Sequence, residues 1–179
     1  MGGLMLRTPK GDRVRPTQDR VREAVFAMLG AKVAGARTLD LFAGTGALGI
    51  EAGSRGAASV TWVDEDARSV EVLRENVRLL DACDCEKVVA RDEVTRWLRR
   101  RTQEGAAGFD LVFADPPYAW EGWGKIFDAL GAGVLAEGGI FVAELAAEHP
   151  AWTGEGWTIL RDRAYGGTRV FLYRKESTT

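Results

Sequence analysis

The chain has 179 residues, 46% hydrophobic and 28% charged, with a formal net charge of −2. That length can bury a substantial core in one domain, and no apolar run approaches the roughly 18 residues of a membrane span. Met1 to Pro9 lacks the apolar stretch of a secretory signal, so a cytoplasmic protein with no membrane partner is expected. Cys83 and Cys85 are the only cysteines and lie far from the single histidine, His149. They read as two solitary thiols in a loop, with no metal expected, and His149 beside Pro150 reads as a surface loop residue.

Charge is unevenly spread along the chain. Residues 1–22 carry Arg7, Lys10, Arg13, Arg15, Arg20 and Arg22 against Asp12 and Asp19, a net +4, which leaves −6 for the rest. A basic arm on a mildly acidic body suits backbone phosphates at one edge. Val21, Ala24, Val25, Met28 and Leu29 then recur at helical spacing, with Thr17 as the expected N-cap. After Gly35, Thr38–Phe42 reads as a short buried strand, Ala47–Arg55 as a helix closing at Gly56, and Ser59–Val63 as a strand ending in Asp64. Val70, Leu73, Val77 and Leu80 stripe the next helix, with Glu71/Arg74 and Glu75/Arg78 on its opposite face.

Lys87–Ala90 is the third expected strand and Val94–Arg101 the next helix, where Arg99-Arg100-Arg101 reads as a basic helix end. Phe109–Ala114 is a strand, Trp123–Leu130 a helix and Gly139–Glu144 a fifth strand. Trp157–Ala164 and Arg169–Arg174, joined through Tyr165-Gly166-Gly167-Thr168, read as a hairpin. Five strands alternating with helices, then an antiparallel pair, predict an α/β doubly wound, mostly parallel sheet.

Two motifs carry chemistry. Asp115-Pro116-Pro117-Tyr118 follows the apolar run Phe109–Ala114. An exocyclic amine on a nucleobase is a weak nucleophile because its lone pair is delocalised into the ring, and two acceptors for its protons draw that pair out of conjugation. Asp115 supplies a carboxylate and the Pro116 carbonyl a second acceptor, since Pro117 offers no N–H and biases Pro116 toward an extended conformation. Tyr118 offers an aromatic face to the base. Trp120 and Trp123 flank this loop and are expected to pack; Trp152 and Trp157 carry no functional signal.

Upstream, Gly44-Thr45-Gly46-Ala47-Leu48-Gly49 satisfies the G-x-G-x-x-G fingerprint, and Asp64 lies 20 residues beyond Gly44, where a ribose-binding acid is expected. Asp40 near the end of the first strand is a poor neighbour for a pyrophosphate and a good one for an ammonium or sulfonium. These features favour S-adenosylmethionine over a nicotinamide dinucleotide.

Arg15-Pro16-Thr17-Gln18-Asp19-Arg20-Val21-Arg22-Glu23-Ala24-Val25-Phe26, the run Asp40 to Ala52, the tetrapeptide at Asp115 and Tyr165-Gly166-Gly167-Thr168-Arg169 together resemble the RsmD family of bacterial 16S ribosomal RNA guanine-N2 methyltransferases. The resemblance spans nearly the whole chain. It implies a class I S-adenosylmethionine-dependent methyltransferase fold, Rossmann-like and seven-stranded, with a C-terminal antiparallel hairpin. One domain over residues 1–179 is expected: a basic arm and first helix over 1–30 and the Rossmann-like core over 37–174.

Carried over, the resemblance puts Asp40, Phe42, Gly44 and Gly46 around the methionine end of the cofactor. Asp64 falls on the ribose hydroxyls and Asp92 on the adenine amine. Asp115, Pro116 and Tyr118 handle the guanine, with S-adenosylhomocysteine as product. Arg7, Lys10, Arg13, Arg15, Thr17 and Pro117 fall toward RNA or the substrate entrance. The implied partner is 16S rRNA or a small-subunit assembly intermediate, met by a monomer. The family has a further stretch ahead of Gly3–Pro9, so a trimmed start or a shorter RNA arm is expected here. Adenine-N6 methylation of nucleic acid remains open, since it uses the same acceptor pair, as do an inactive RNA-binding module and a nicotinamide-dependent oxidoreductase.

Overall fold

The computed structural model describes residues 16–176, with side chains from residue 18 onward. Arg7, Lys10, Arg13 and Arg15, and the side chain of Thr17, lie outside the described residues. Helix α1 spans Pro16–Leu29. It begins ahead of the expected cap because Pro16 takes the first helical position, where a missing N–H leaves nothing unsatisfied.

Seven strands follow: β1 (Arg37–Leu41), β2 (Ser59–Asp64), β3 (Glu86–Arg91), β4 (Phe109–Ala114), β5 (Leu135–Ala146), β6 (Trp157–Tyr165) and β7 (Thr168–Lys175). Helices α2 (Ala47–Ser54), α3 (Ala67–Val77), α4 (Val94–Glu104) and α5 (Trp123–Ala129) connect the parallel ones. The strand order is β3-β2-β1-β4-β5-β7-β6, with β7 antiparallel to both neighbours. This is the class I methyltransferase arrangement: a doubly wound sheet whose last hairpin reverses one strand.

Alternation within each strand separates two cores. Leu111, Phe113, Ile140, Val142, Val170 and Leu172 face one side, which α1, α2 and α3 cover with Val25, Phe26, Ile50 and Leu73. Leu39, Leu41, Val112, Phe141, Phe171 and Tyr173 face the other, under Trp97 and Leu98 of α4 and Ile126 and Phe127 of α5. Phe127 is the hub there, with the Phe141, Trp152, Trp157 and Tyr173 rings all within 5.3 Å. Trp152 and Trp157 are therefore packing residues. So is Cys85, a buried thiol that belongs to the first core rather than to an open loop.

Several expected boundaries shift, three of them with a visible cause. β1 stops at Leu41, because Phe42 adopts φ 57 and leaves the strand. β5 runs from Leu135 to Ala146, longer at both ends than Gly139–Glu144, with an irregular register against β4 that absorbs Gly138 and Gly139. The hairpin loop contracts to Gly166-Gly167, since Tyr165 and Thr168 pair across the ladder. Among the described residues no helix is long and apolar enough to cross a membrane.

Candidate active site

In a doubly wound sheet the connections leave a crevice at the C-terminal strand ends where the order reverses. Here that point lies between β1 and β4, which pair directly from Thr38↔Leu111 to Leu41↔Ala114. The two sequence motifs leave these strands side by side. The sequence placed them 71 residues apart, from Gly44 to Asp115.

The glycine turn is held from several directions. Gly44 has φ 54 and Gly46 φ 83, and a Cβ on Gly46 would fall 2.3 Å from Leu73 Cδ1. Gly49 sits so close to the Trp62 ring that a Cβ there would be 2.2 Å from Nε1. Gly46 N–H donates to the Ala43 carbonyl at 2.7 Å, and Asn76 Nδ2 donates to the Thr45 carbonyl at 3.0 Å. Asn76 and Trp62 are support that sequence reasoning did not identify. Phe42, strained at positive φ as non-glycine residues seldom are, sets its ring edge-on against Trp120, 4.9 Å away. That contact ties the turn after β1 to the loop after β4.

The acids divide by environment. Asp64 ends β2; its Oδ2 accepts from Gly44 N–H at 2.8 Å and its Oδ1 from Asp66 N–H at 2.9 Å. Asp40 is 2% exposed and accepts from Gly49 N–H at 2.8 Å, so it braces the start of α2 from below. Burial pushes its pKa up to about 8, against the Gly49 hydrogen bond and with help from the charges of Asp115 and Asp64. Asp92 accepts from Glu93 N–H and from the guanidinium groups of Arg96 and Arg100. Burial raises its pKa, but the Arg100 and Arg96 hydrogen bonds outweigh that, and the net shift is downward. Arg100 thus leaves the expected helix-end role to hold an acid of the crevice.

Asp115 stands at the tip of β4. Burial pushes its pKa up to about 6, and among the described residues no hydrogen bond reaches its carboxylate or the Pro116 carbonyl. The Pro117 carbonyl instead accepts from Trp120 N–H at 2.8 Å and closes the loop. Tyr118 is 64% exposed, and its hydroxyl lies 3.2 Å from Thr168 Oγ1, at the start of β7. The closing hairpin therefore meets the tetrapeptide. Glu144 on β5, Trp123 and His149 line the same recess as Pro116, Pro117 and Tyr118. Glu144 was not singled out from sequence, although an acid ending an apolar strand is the same signal that marked Asp64 and Asp115.

This donor set suits a cation. Asp64 and Asp40 hold the glycine turn through the Gly44 and Gly49 N–H groups, and the charges of Asp64 and Asp115 reach Asp40; acids here disfavour an anionic pyrophosphate and accept a sulfonium with its ammonium. Among the described residues no group of three or more His, Cys, Asp or Glu side chains is arranged to hold a metal ion.

The family model described as "Conserved hypothetical protein 95" matches residues 1–174. Ribosomal RNA small subunit methyltransferase D of Escherichia coli (strain K12) is 32% identical over 177 residues, covering 98% of this chain and 86% of that protein. The protein of the same name from Haemophilus influenzae is 30% identical over 173 residues, covering 96% and 89%. Among solved structures, yhhF from Escherichia coli is similar with a TM-score of 0.82 at 31% identity, covering 97% of this chain and 92% of that one. With a match along nearly its whole length and relatives of this kind, the chain belongs to the Conserved hypothetical protein 95 family, the RsmD family that its motifs resemble.

Proposed function

We propose that the protein transfers a methyl group from S-adenosylmethionine to the N2 amine of a guanine in small-subunit 16S rRNA. The observation that carries this reading is the pair of unengaged acceptors, the Asp115 carboxylate and the Pro116 carbonyl, at a strand tip directly beside the glycine turn. The names of the relatives support rRNA as the substrate.

S-adenosylmethionine supplies an activated methyl group on a sulfonium. The protein's own residues do the rest. Asp115 and Pro116 accept hydrogen bonds from the two amine N–H groups and turn the nitrogen lone pair toward the methyl group. As the N–C bond forms and the S–C bond breaks, one amine proton leaves through Asp115, and Tyr118 stacks on the base through its exposed face. Gly44, Gly46 and Phe42 shape the turn that receives the methionine end. Asp64 accepts from the ribose, and Asp92, oriented by Arg96 and Arg100, accepts from the adenine amine. Arg7, Lys10 and Arg13 of the basic arm neutralise RNA phosphates.

Unmethylated 16S rRNA and the corresponding assembly intermediate, each incubated with the protein and labelled cofactor and then digested to nucleosides, test the reaction. N2-methylguanosine is the expected product. N6-methyladenosine, or no RNA-dependent transfer, overturns the proposal.

Asp64→Ala tests the ribose assignment. Removing charge-assisted hydrogen bonds of about 1.5–3 kcal/mol each raises the dissociation constant for S-adenosylmethionine by about 10- to 100-fold while the chain stays folded. Unchanged affinity by calorimetry assigns Asp64 to the Gly44 turn alone.

A further inference from the structure

Glu144 has no part in the chemistry just described, yet it shares a recess with Pro116, Pro117 and Tyr118. The β4–β5 register pairs Ala114 with Ala143. Asp115 and Glu144 are thus the next residues on neighbouring parallel strands. Asp115 lies two residues past Phe113, and Glu144 two past Val142, both on the α1–α3 side of the sheet. Side chains two apart on a strand share a face, so Glu144 projects to that side, and the charge of Asp115, at the adjacent strand tip, reaches both Glu144 and Asp40.

Neither carboxyl receives a hydrogen bond or ion pair among the described residues. Their environments nevertheless separate them. Burial, reinforced by the charge of Asp115, pushes Glu144 up to about 8, while burial pushes Asp115 only to about 6. Burial pushes both acids upward, so the pair retains a proton toward neutral pH, and the charge of Asp115 favours that proton on Glu144. Pairs of acids pushed apart in this way divide the roles of donor and acceptor, and a protonated carboxyl offers an O–H that a carboxylate lacks.

We infer that Glu144 is a second base-contacting residue, donating its carboxyl O–H to the ring nitrogen beside the exocyclic amine held by Asp115. In guanine the amine carbon lies between N1–H, a donor, and N3, an acceptor; Asp115 takes an amine proton and Glu144 meets N3. Two in-plane contacts from adjacent strands fix the rotation of the base about its stacking axis, which a single carboxylate and the Tyr118 face leave free. This rests on the base-methylation reading above.

The test compares wild type, Glu144→Gln and Glu144→Ala in steady-state methylation of 16S rRNA at saturating cofactor, from about pH 6 to about pH 9. The other titratable groups around Glu144 among the described residues are Asp115 at the tip of β4, Tyr118 in the following loop and His149 after β5, with Asp40 on β1 beyond Asp115. Glu144→Ala lowers kcat/KM for RNA about tenfold or more, as loss of a buried hydrogen-bond donor does, with unchanged affinity for S-adenosylhomocysteine by calorimetry. Glu144→Gln carries a permanent N–H donor, keeps most of the wild-type rate and lacks the wild-type decline above about pH 8.

Wild-type kinetics in Glu144→Ala overturn the inference. So does a Gln variant as impaired as Ala, or one that retains the alkaline decline, which then belongs to Asp40. Wild-type turnover in the same series separates the two claims: no transfer by wild type sinks the methylation reading itself, whereas active wild type with insensitive Glu144 variants sinks only the role of Glu144.

Discussion

Replacing Asp115 with alanine is expected to slow single-turnover methylation of 16S rRNA by about 10²- to 10³-fold, with little change in cofactor affinity. The amine lone pair is delocalised in the ground state and localised in the transition state, where positive charge grows on nitrogen. An acceptor for an amine proton therefore strengthens along the reaction coordinate, and its loss appears in the rate more than in binding. An effect of about 3–4 kcal/mol corresponds to that factor. Asp115→Asn keeps an oxygen but loses the charge and falls between wild type and alanine. The acceptor form is the ionised one, so the wild-type rate declines as pH falls through about 6. Wild-type rates in Asp115→Ala remove the tetrapeptide from the chemistry.

The second large effect concerns stability. Asp40 keeps its proton up to about pH 8 in the folded chain, against an ordinary value of 3.8. Between those values the folded state binds one proton more than the unfolded state. The corresponding stability is fully present below 3.8 and is lost as pH rises through about 8. Asp40→Asn retains an oxygen for the Gly49 N–H and cannot ionise. Relative to wild type, its unfolding free energy rises by on the order of 3 kcal/mol between about pH 5 and about pH 8. Urea unfolding at several pH values measures the difference, and a difference flat with pH refutes the burial of a proton at Asp40.

Both chemical motifs were legible because each rests on local covalent constraint. A turn with left-handed φ at Gly44 and Gly46 needs glycine there. Two consecutive prolines after an acid remove two N–H donors, and Pro117 biases Pro116 toward an extended conformation, both fixed by covalent structure. The element order was equally plain, since apolar alternation and helical stripes are local periodicities. The stripe of α1 still missed Phe26, which is buried against Phe113 at a ring separation of 5.6 Å. The hairpin Trp157–Tyr165 and Thr168–Lys175 was readable from its Gly-Gly turn, but its meeting with the tetrapeptide through Tyr118 and Thr168 was not.

What the sequence by itself determined is the inventory: a glycine turn closing β1, acids at the tips of β2 and β4, a proline pair without donors, an aromatic ring beside them, and strands enough for one doubly wound sheet. What only the tertiary structure decided is the company these residues keep. Strand order is set by non-local packing, and it is the β1–β4 adjacency that brings turn and tetrapeptide together. Register is likewise non-local, and the pairing of Ala114 with Ala143 sets Glu144 beside Asp115. The proton occupancy of Asp40, Asp115 and Glu144 follows from burial and mutual charge, while Arg96 and Arg100 keep Asp92 ionised. Desolvation and Coulomb interaction depend on distance in space rather than on separation along the chain, so no reading of a linear sequence can supply them.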